Sequence, residues 1–462
     1  MNSQQFYQVI NEHHAIPLTL FTIAEYAESR QFSDLERQQL TSMQFGGKLG
    51  EIALMWDERG VVNRVYMGAG EATDAVAIAC AIAKLPAGVY QITNAISEHA
   101  VLVWALSQYR FDYYKKIVSM PRILAINAKY LSRVVAKADA VFMVRDLINM
   151  PPNVMNPEGL ANTALELADT HHAQCQILIG EDLLSHNYPA IHAVGRAAQS
   201  LPRLIHLSWG NQAHPHVTLV GKGVCFDSGG LDLKNSAGMR WMKKDMGGAA
   251  HVLGLAKWLM TEKLPIYLQV FIPAVENAVS EQAYRPGDVL TMRNGLHVEI
   301  DNTDAEGRLI LADVLAKACE EPPELLIDFA TLTGAARIAV GTDIAAMFSN
   351  NDVLAAELQQ YGTQYSDPVW QLPLFAGYQP LFESKIADLM NSSPSPYAGA
   401  IIAALFLQYF VKPEVNWVHF DIMAWNVCSI PGKPEGGEAL GLLAVGHYLL
   451  DKYRKSPYEA KA

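Results

Sequence analysis

Asn302-Thr-Asp-Ala-Glu-Gly-Arg-Leu309 packs two acids and a base into one short stretch directly after the alternating run Leu296-His-Val-Glu-Ile300. The alternation predicts a strand, and the apolar spacing from Leu309 to Glu320 predicts a helix. A strand that leads through an acidic, Gly-containing turn into a helix places Asp304, Glu306 and Arg308 at the carboxyl edge of a sheet, where α/β proteins bind ligands. Three stretches upstream share this pattern, so Lys222 to Arg308 reads as one divided site.

Around that site the second half of the chain alternates strand and helix. Strands are expected at Val217–Val220, Ile266–Ile272, Val298–Asp301, Leu325–Phe329 and Val418–Ile422, and helices at Gly247–Met260, Leu309–Cys319 and Gly399–Phe410. This spacing predicts a mainly parallel, doubly wound sheet. Upstream, Glu158–Ala168 reads as a helix and Gln174–Gly180 as a strand. From Tyr130 to Asn149 apolar residues recur at helical spacing until Pro151-Pro152 stops them. Residues 1 to about 130 alternate strand-like runs (Glu51–Met55, Val62–Met67) with the Ala-rich run Ala75–Leu85. The expected organisation is a small N-terminal α/β domain over 1–130, a connecting helix and linker over 131–157, and a larger C-terminal α/β domain over 158–462 with a mainly parallel central sheet.

Composition narrows the class. The chain has 462 residues, 50% hydrophobic and 18% charged, with a formal net charge of −12. That acidic balance disfavours nucleic acid and anionic membranes as partners. Five scattered cysteines without a CxxC pair point to a reducing compartment and exclude a cysteine-based zinc site. Met1-Asn-Ser-Gln-Gln-Phe6 lacks the pattern of a secretory signal. Ala398–Val411 is shorter than the roughly 20 apolar residues that span a bilayer. A soluble, cytoplasmic protein is expected.

The divided site begins at Val220-Gly-Lys-Gly-Val-Cys-Phe-Asp-Ser-Gly-Gly230, which places Lys222 and Asp227 in a Gly-rich turn. It is not a phosphate loop, because the upstream glycine and the following Ser/Thr are absent. Leu231-Asp-Leu-Lys234 adds a second lysine. Met242-Lys-Lys-Asp-Met-Gly-Gly-Ala-Ala250 brings Asp245 to the mouth of a helix whose glycines allow close packing. Any one of these acids alone could be a solvated loop carboxylate or a helix cap. Four carboxylates converging at strand ends raise one another's pKa unless countercharge is present, and divalent cations supply it. Two such ions with shared ligands clamp the attacking water and the substrate oxygen in hydrolysis. Oxygen-rich ligation suits Mn²⁺ or Mg²⁺, and Zn²⁺ is compatible. Other candidate motifs fail. The glycine of Asp301-Asn-Thr-Asp-Ala-Glu-Gly307 is one place late for a calcium hand, and Ala312 replaces its bidentate acid. Gly68-Ala-Gly70 lacks the third glycine of a dinucleotide loop, and His171-His172 are adjacent residues that do not share a face.

Taken together, the blocks Val220–Lys234, Met242–Val252, Ala283-Tyr-Arg-Pro-Gly-Asp-Val-Leu290, Asn302–Leu309 and Ala330-Thr-Leu-Thr-Gly-Ala335 resemble the leucine aminopeptidase (cytosol aminopeptidase) family of dimetal peptidases. Weaker similarity extends back through Asn149-Met-Pro-Pro-Asn153 to Ser107–Asp112. The resemblance implies that Asp227, Asp304 and Glu306 hold one metal and that Lys222, Asp227, Asp245 and Glu306 hold the other. Lys234 and Arg308 fall at the family's two catalytic basic positions, with a bicarbonate held by Arg308 as the base. Met242, Asn302, Thr331 and the backbone of Leu332 to Gly334 would border the substrate. A homohexamer acting on peptides, with apolar residues such as leucine preferred at the N-terminus, is implied as well. Gly436-Gly-Glu-Ala-Leu-Gly441 departs from the family's GATG-like turn. A dimetal phosphoesterase, which needs the same acids, and a DNA-binding regulator are the alternative readings.

Overall fold

The computed structural model describes residues 2–10, 15–29, 31–116 and 120–454. The chain forms two compact units, Met1–Phe142 with Val427–Glu435, and Met143–Asn426 with Gly436–Ala462. Met1, within the stretch read for a secretory signal, lies outside the described residues. So do residues 455–462.

The first unit carries strands β1 (Tyr7–Val9), β2 (Ile16–Thr22), β3 (Ile52–Trp56) and β4 (Val62–Gly70), helix α1 (Asp74–Ala81), and strands β5 (Gly88–Ile92) and β6 (Arg122–Ile126). They form a six-stranded sheet in the order β1-β6-β5-β2-β4-β3, parallel except where β3 meets β4. Gly68 lies within β4, two residues before its end, where an added Cβ would lie 2.0 Å from Lys48 O. Its glycine serves a close backbone approach, as the missing dinucleotide pattern implies.

Helix α2 (Ala128–Asn149) contains the boundary between the two units, and α3 (Pro157–His171) opens the second. Pro157 sits at the first helical position with Asn156 as its cap, which starts the helix, and His172 in the left-handed region ends it. Strands β7 (Gln174–Ile179), β8 (Arg203–Trp209), β9 (His216–Gly221), β10 (Gly223–Asp227) and β11 (Tyr267–Asn277) follow, with α4 (Pro189–Gly195) before β8 and α5 (Gly247–Thr261) before β11. Next come the short strands β12 (Val289–Thr291) and β13 (His297–Glu299), then α6 (Glu306–Ala318), β14 (Leu325–Ala330), α7 (Gly334–Val340), β15 (Ala345–Ser349) and β16 (Val369–Gln371). The last elements that concern the site are β17 (Leu389–Met390), α8 (Gly399–Gln408) and β18 (Trp417–Asp421).

The main sheet of this unit has the order β16-β15-β18-β14-β9-β11-β8-β7, with β10 added alongside β11. Its centre is parallel, and antiparallel pairs occur at β15–β18, β11–β8 and β8–β7. This is the mixed α/β fold, with a larger, mainly parallel C-terminal sheet, that the alternation predicts. Side chains alternate along each strand, so helices cover both faces. Gly221 and its register partner Phe329 meet α5, whereas Val220, Leu326 and Phe271 share a core with Leu309, Leu311, Val314 and Leu315 of α6. Those four fully buried α6 side chains contribute about 1.5–3 kcal/mol each. That is enough to outweigh the several kcal/mol needed to hold one charged group such as Glu306 in the same helix.

Three expectations need correction. The strand over Val298–Asp301 exists as β13 but belongs to a separate three-stranded sheet with β12 and β17. The Asn294-Gly295 turn, with Gly295 at φ +91°, folds β13 back antiparallel on β12 and keeps it out of the main sheet. Helix α6 starts at Glu306, three positions before the expected Leu309, so Glu306 and Arg308 lie in its first turn. Finally, the stretch after Lys222 is strand β10, and Asp227 is its last residue.

The glycines of Gly247-Gly248 let α5 approach the sheet. A Cβ on Gly248 would stand 2.0 Å from Phe329 O and 2.8 Å from Lys222 N, both backbone atoms that cannot swing aside. Gly248→Ala should therefore destabilise the fold by about 1–3 kcal/mol. The check is urea unfolding, where a lower midpoint is expected and an unchanged one would contradict this packing.

Candidate metal centre

Each candidate side chain is set by backbone that the sheet fixes. Lys222 follows β9, its N–H donating to Phe329 O at 3.0 Å and its carbonyl accepting Ala249 N–H at 2.9 Å. Asp227 closes β10, Asp245 lies in the 3₁₀ turn Met242–Met246 that leads into α5, and Glu306 opens α6.

Asp227, Asp245 and Glu306 converge, with one oxygen of each within 4.8 Å of the others, and all three are buried. Lys222 Nζ lies 2.6 Å from Asp245 Oδ2 and 3.0 Å from Glu306 Oε1. Lys234 Nζ lies 2.7 Å from Asp227 Oδ2 and is also ion-paired with Asp304. Asp304 thus joins the cluster through Lys234, with 35% of its own side chain exposed. The sequence brings four carboxylates to one place, and the structure arranges them as a buried three with a fourth at the rim.

Burial pushes the Glu306 carboxyl well above the usual carboxylate range, and the neighbouring Asp227 pushes it further. Asp304 rises for the same two reasons. Burial acts on Asp245 in that direction too, but Lys222, joined by Lys244 and Lys234, holds this carboxyl low. Both lysines lose solvation, yet the carboxylates around them keep Lys222 and Lys234 firmly protonated. Burial also pulls Arg308 down to about 10, which leaves it charged at neutral pH.

Glu306 Oε2 is buried and has no hydrogen-bond partner. An acceptor of that kind, among three clustered carboxylates and beside a lysine amine, fits a divalent cation by donor chemistry. Lys222 could ligate only as the neutral amine, so binding would displace its proton.

Thr331 ties β14 to this cluster. Its Oγ1 lies 2.8 Å from Asp245 Oδ1, and its carbonyl accepts from Lys222 Nζ at 3.1 Å. Met242 is half-buried in the 3₁₀ turn, Leu332 lies between β14 and α7, and Gly334 opens α7, where it is exposed. Asn302 Oδ1 accepts Asp304 N–H at 2.7 Å and shapes the acidic turn. Arg308 Nη1 donates to Asn391 O at 2.8 Å, and its buried Nε has no partner. His171 and His172 are not in the cluster.

The family descriptions bear directly on this arrangement. The model of the cytosol aminopeptidase family catalytic domain matches residues 142–444, and that of the M17 aminopeptidase N-terminal domain matches 16–126. The chain belongs to the cytosol aminopeptidase family. It is therefore an aminopeptidase, a hydrolase of peptide bonds. A probable cytosol aminopeptidase of Syntrophotalea carbinolica is 41% identical over 383 residues, 78% of this chain and 76% of the relative. One of Rhodopirellula baltica is 42% identical over 332 residues, 71% and 65% of the two chains. The crystal structure of the cytosol aminopeptidase from Coxiella burnetii is 43% identical with a TM-score of 0.93, covering 97% of this chain and 99% of that one. The bottromycin maturation enzyme BotP in complex with Mn is 30% identical with a TM-score of 0.86, covering 96% and 100%.

Several residues that support the site carry little signal in sequence. Asn277, at the end of β11, donates to Asp227 Oδ1 at 2.9 Å and to Thr303 O at 3.0 Å. Asn391, fully buried, accepts Asp301 N–H and Asn302 N–H at 2.8 and 3.2 Å and donates to Asn302 O at 2.7 Å and Ala305 O at 3.3 Å. Its one clue is its place beside the loop Ser392-Ser-Pro-Ser-Pro-Tyr397, which the Ala/Gly-rich helix start after it sets near the site. Asn391→Ala strips the acidic turn of these bonds at once and should cost roughly 2–4 kcal/mol, since each buried group left unpaired costs about 1–3. Urea unfolding measures this, and a variant as stable as the parent would show that the turn holds itself.

Proposed function

We propose that the chain is a metal-dependent aminopeptidase that releases N-terminal residues, leucine and other apolar residues preferentially. The observation that carries this is the buried triplet Asp227, Asp245 and Glu306 threaded by Lys222 and Lys234. Asp227, Asp304 and Glu306 would hold one cation, and Lys222, Asp227, Asp245 and Glu306 the other. Such ions supply Lewis acidity toward the scissile carbonyl and a nucleophile at neutral pH. Mn²⁺ is favoured by the donor set and by the Mn complex of BotP, with Zn²⁺ and Mg²⁺ compatible.

The remaining chemistry falls to the chain itself. Lys234, charged and reaching the cluster from its more open side, donates to the carbonyl oxygen as negative charge develops. Arg308 cannot accept a proton. Its buried, unpartnered Nε suits it to hold a bicarbonate, which would supply the base. Met242, Asn302, Thr331 and the backbone of Leu332 to Gly334 border the peptide, and recognition of a free α-amine beside the carboxylates confines cleavage to chain ends.

The same proposal takes 1–130 as the N-terminal domain, 131–157 as connector and 158–462 as the catalytic domain. Among the described residues no helix is long and apolar enough to cross a membrane, and all five cysteines are free, which supports a cytoplasmic location. A homohexamer is expected, with a light-scattering mass near six times 50.8 kDa. A monomer with full turnover would refute it.

The two lysines separate the roles. Lys222→Ala should weaken metal binding and recover in part with excess Mn²⁺. Lys234→Ala should keep its metal and lose about 10²–10³ in kcat on leucine p-nitroanilide, with a smaller change in KM. Metal loss in Lys234→Ala, or its rescue by Mn²⁺, would exchange the assignments. Parent turnover of p-nitrophenyl phosphate in place of the anilide would sink the peptidase reading.

A further inference from the structure

The strand pair β14 and β18 carries a line of buried polar groups that runs toward the metal centre. Asp328 and His419 are register partners, with Oδ1 and Nδ1 2.5 Å apart, and Trp417 Nε1 donates to Asp328 Oδ2 at 2.7 Å. Two residues further along β18, on the same face, Asp421 lies opposite Ala330, the last residue of β14. Its carboxylate is 2% exposed and reaches past the strand end. There Oδ1 accepts the N–H groups of Leu332 and Thr333 at 2.9 and 3.0 Å, and Oδ2 accepts the Thr333 hydroxyl at 2.6 Å. That hydroxyl in turn accepts Ala336 N–H at 3.1 Å and caps α7.

The near end of the same strip is bound to the opposite party. Thr331 meets Asp245 through its hydroxyl and Lys222 through its carbonyl. Residues 331–333 are thus stretched between two buried anchors, the carboxylate cluster at one end and Asp421 at the other. Removing the first anchor would take the cluster apart, whereas removing the second would leave the cluster whole and free the strip. His419, Arg308 and Lys244 lie close enough to Asp421 to act on its charge, so a role for the charge alone has to be separated from a role for the hydrogen bonds.

We propose that Asp421 is a positioning residue of the peptidase reaction: by holding the Leu332 and Thr333 amides it sets the backbone of 331–333 against the cluster of Asp227, Asp245 and Glu306, and so fixes how a bound peptide lies over it. The inference rests on the reading of that cluster as the peptidase centre. A small displacement of a positioning element costs orders of magnitude in rate without touching the reacting groups. Helix capping alone would cost stability and leave turnover intact.

Two variants of the full-length, Mn²⁺-loaded protein test this. Asp421→Ala removes every acceptor, whereas Asp421→Asn keeps Oδ1 for both amides and can donate to the Thr333 hydroxyl. Hydrogen exchange read by mass spectrometry should be at least about ten-fold faster over 331–334 in Asp421→Ala and near that of the parent in Asp421→Asn. On leucine p-nitroanilide, Asp421→Ala should lose about 10²-fold in kcat with bound metal unchanged, and Asp421→Asn should regain most of it. Parent-like exchange in Asp421→Ala overturns the proposal, as does fast exchange with parent-like kcat. Equal losses in both variants overturn it too, by assigning the effect to charge. If Asp421→Ala does not fold, Asp421→Asn decides, with kcat within about five-fold of the parent in support and a hundred-fold loss against. A parent inactive on anilides would defeat the peptidase reading, and the exchange data would still decide whether Asp421 holds the strip.

Discussion

Three carboxylates within 4.8 Å of one another repel, and their burial weakens the screening that bulk solvent would give. Positive charge must therefore lie among them. Lys222 provides it from the loop after β9, and Lys234 provides it between Asp227 and the rim carboxylate Asp304. Even so, Glu306 keeps a strongly raised affinity for a proton. A cluster in that condition is built to exchange protons for metal ions, because cations relieve the repulsion that the lysines only partly offset.

Such a centre makes demands on everything around it. Its members come from β10, the turn before α5 and the first turn of α6, which are distant in sequence and brought together by the sheet. Gly248 lets α5 close on β14, and Asn277, Asn391 and Thr331 tie the turns to one another. Amides and hydroxyls do this without adding charge to a site already crowded with it. The apolar contacts of α6 with the core beneath supply the free energy that keeps Glu306 and Arg308 buried.

How much of this is legible in the sequence differs by kind of residue. Acids and lysines clustered after strand-like runs announce chemistry, so Lys222, Asp227, Lys234, Asp245, Asp304, Glu306 and Arg308 stand out in the sequence alone. The alternation in Leu296–Ile300 identifies a strand but not its sheet, since a period of two says nothing about partners, and it is the Asn294-Gly295 turn beside it that signals a hairpin. Asn391 and Asn277 are single polar residues whose importance lies in where the fold delivers them, which no local pattern records. The same holds for Asp421, which lies one residue before the end of the expected strand Val418–Ile422 and belongs to no motif there. Strands β15 and β16 are short runs at the flank of the sheet with little periodic signal, and in β8 the adjacent apolar pair Leu204-Ile205 interrupts the alternation.

The central claim is that the buried acids and Lys222 form a site for two metal ions. Anomalous diffraction at the Mn absorption edge, from crystals of the unaltered protein equilibrated with Mn²⁺, tests it most directly. Two peaks are expected, one bounded by Asp227, Asp304 and Glu306 and the other by Lys222, Asp227, Asp245 and Glu306. A single peak, or none among these residues, would contradict the account.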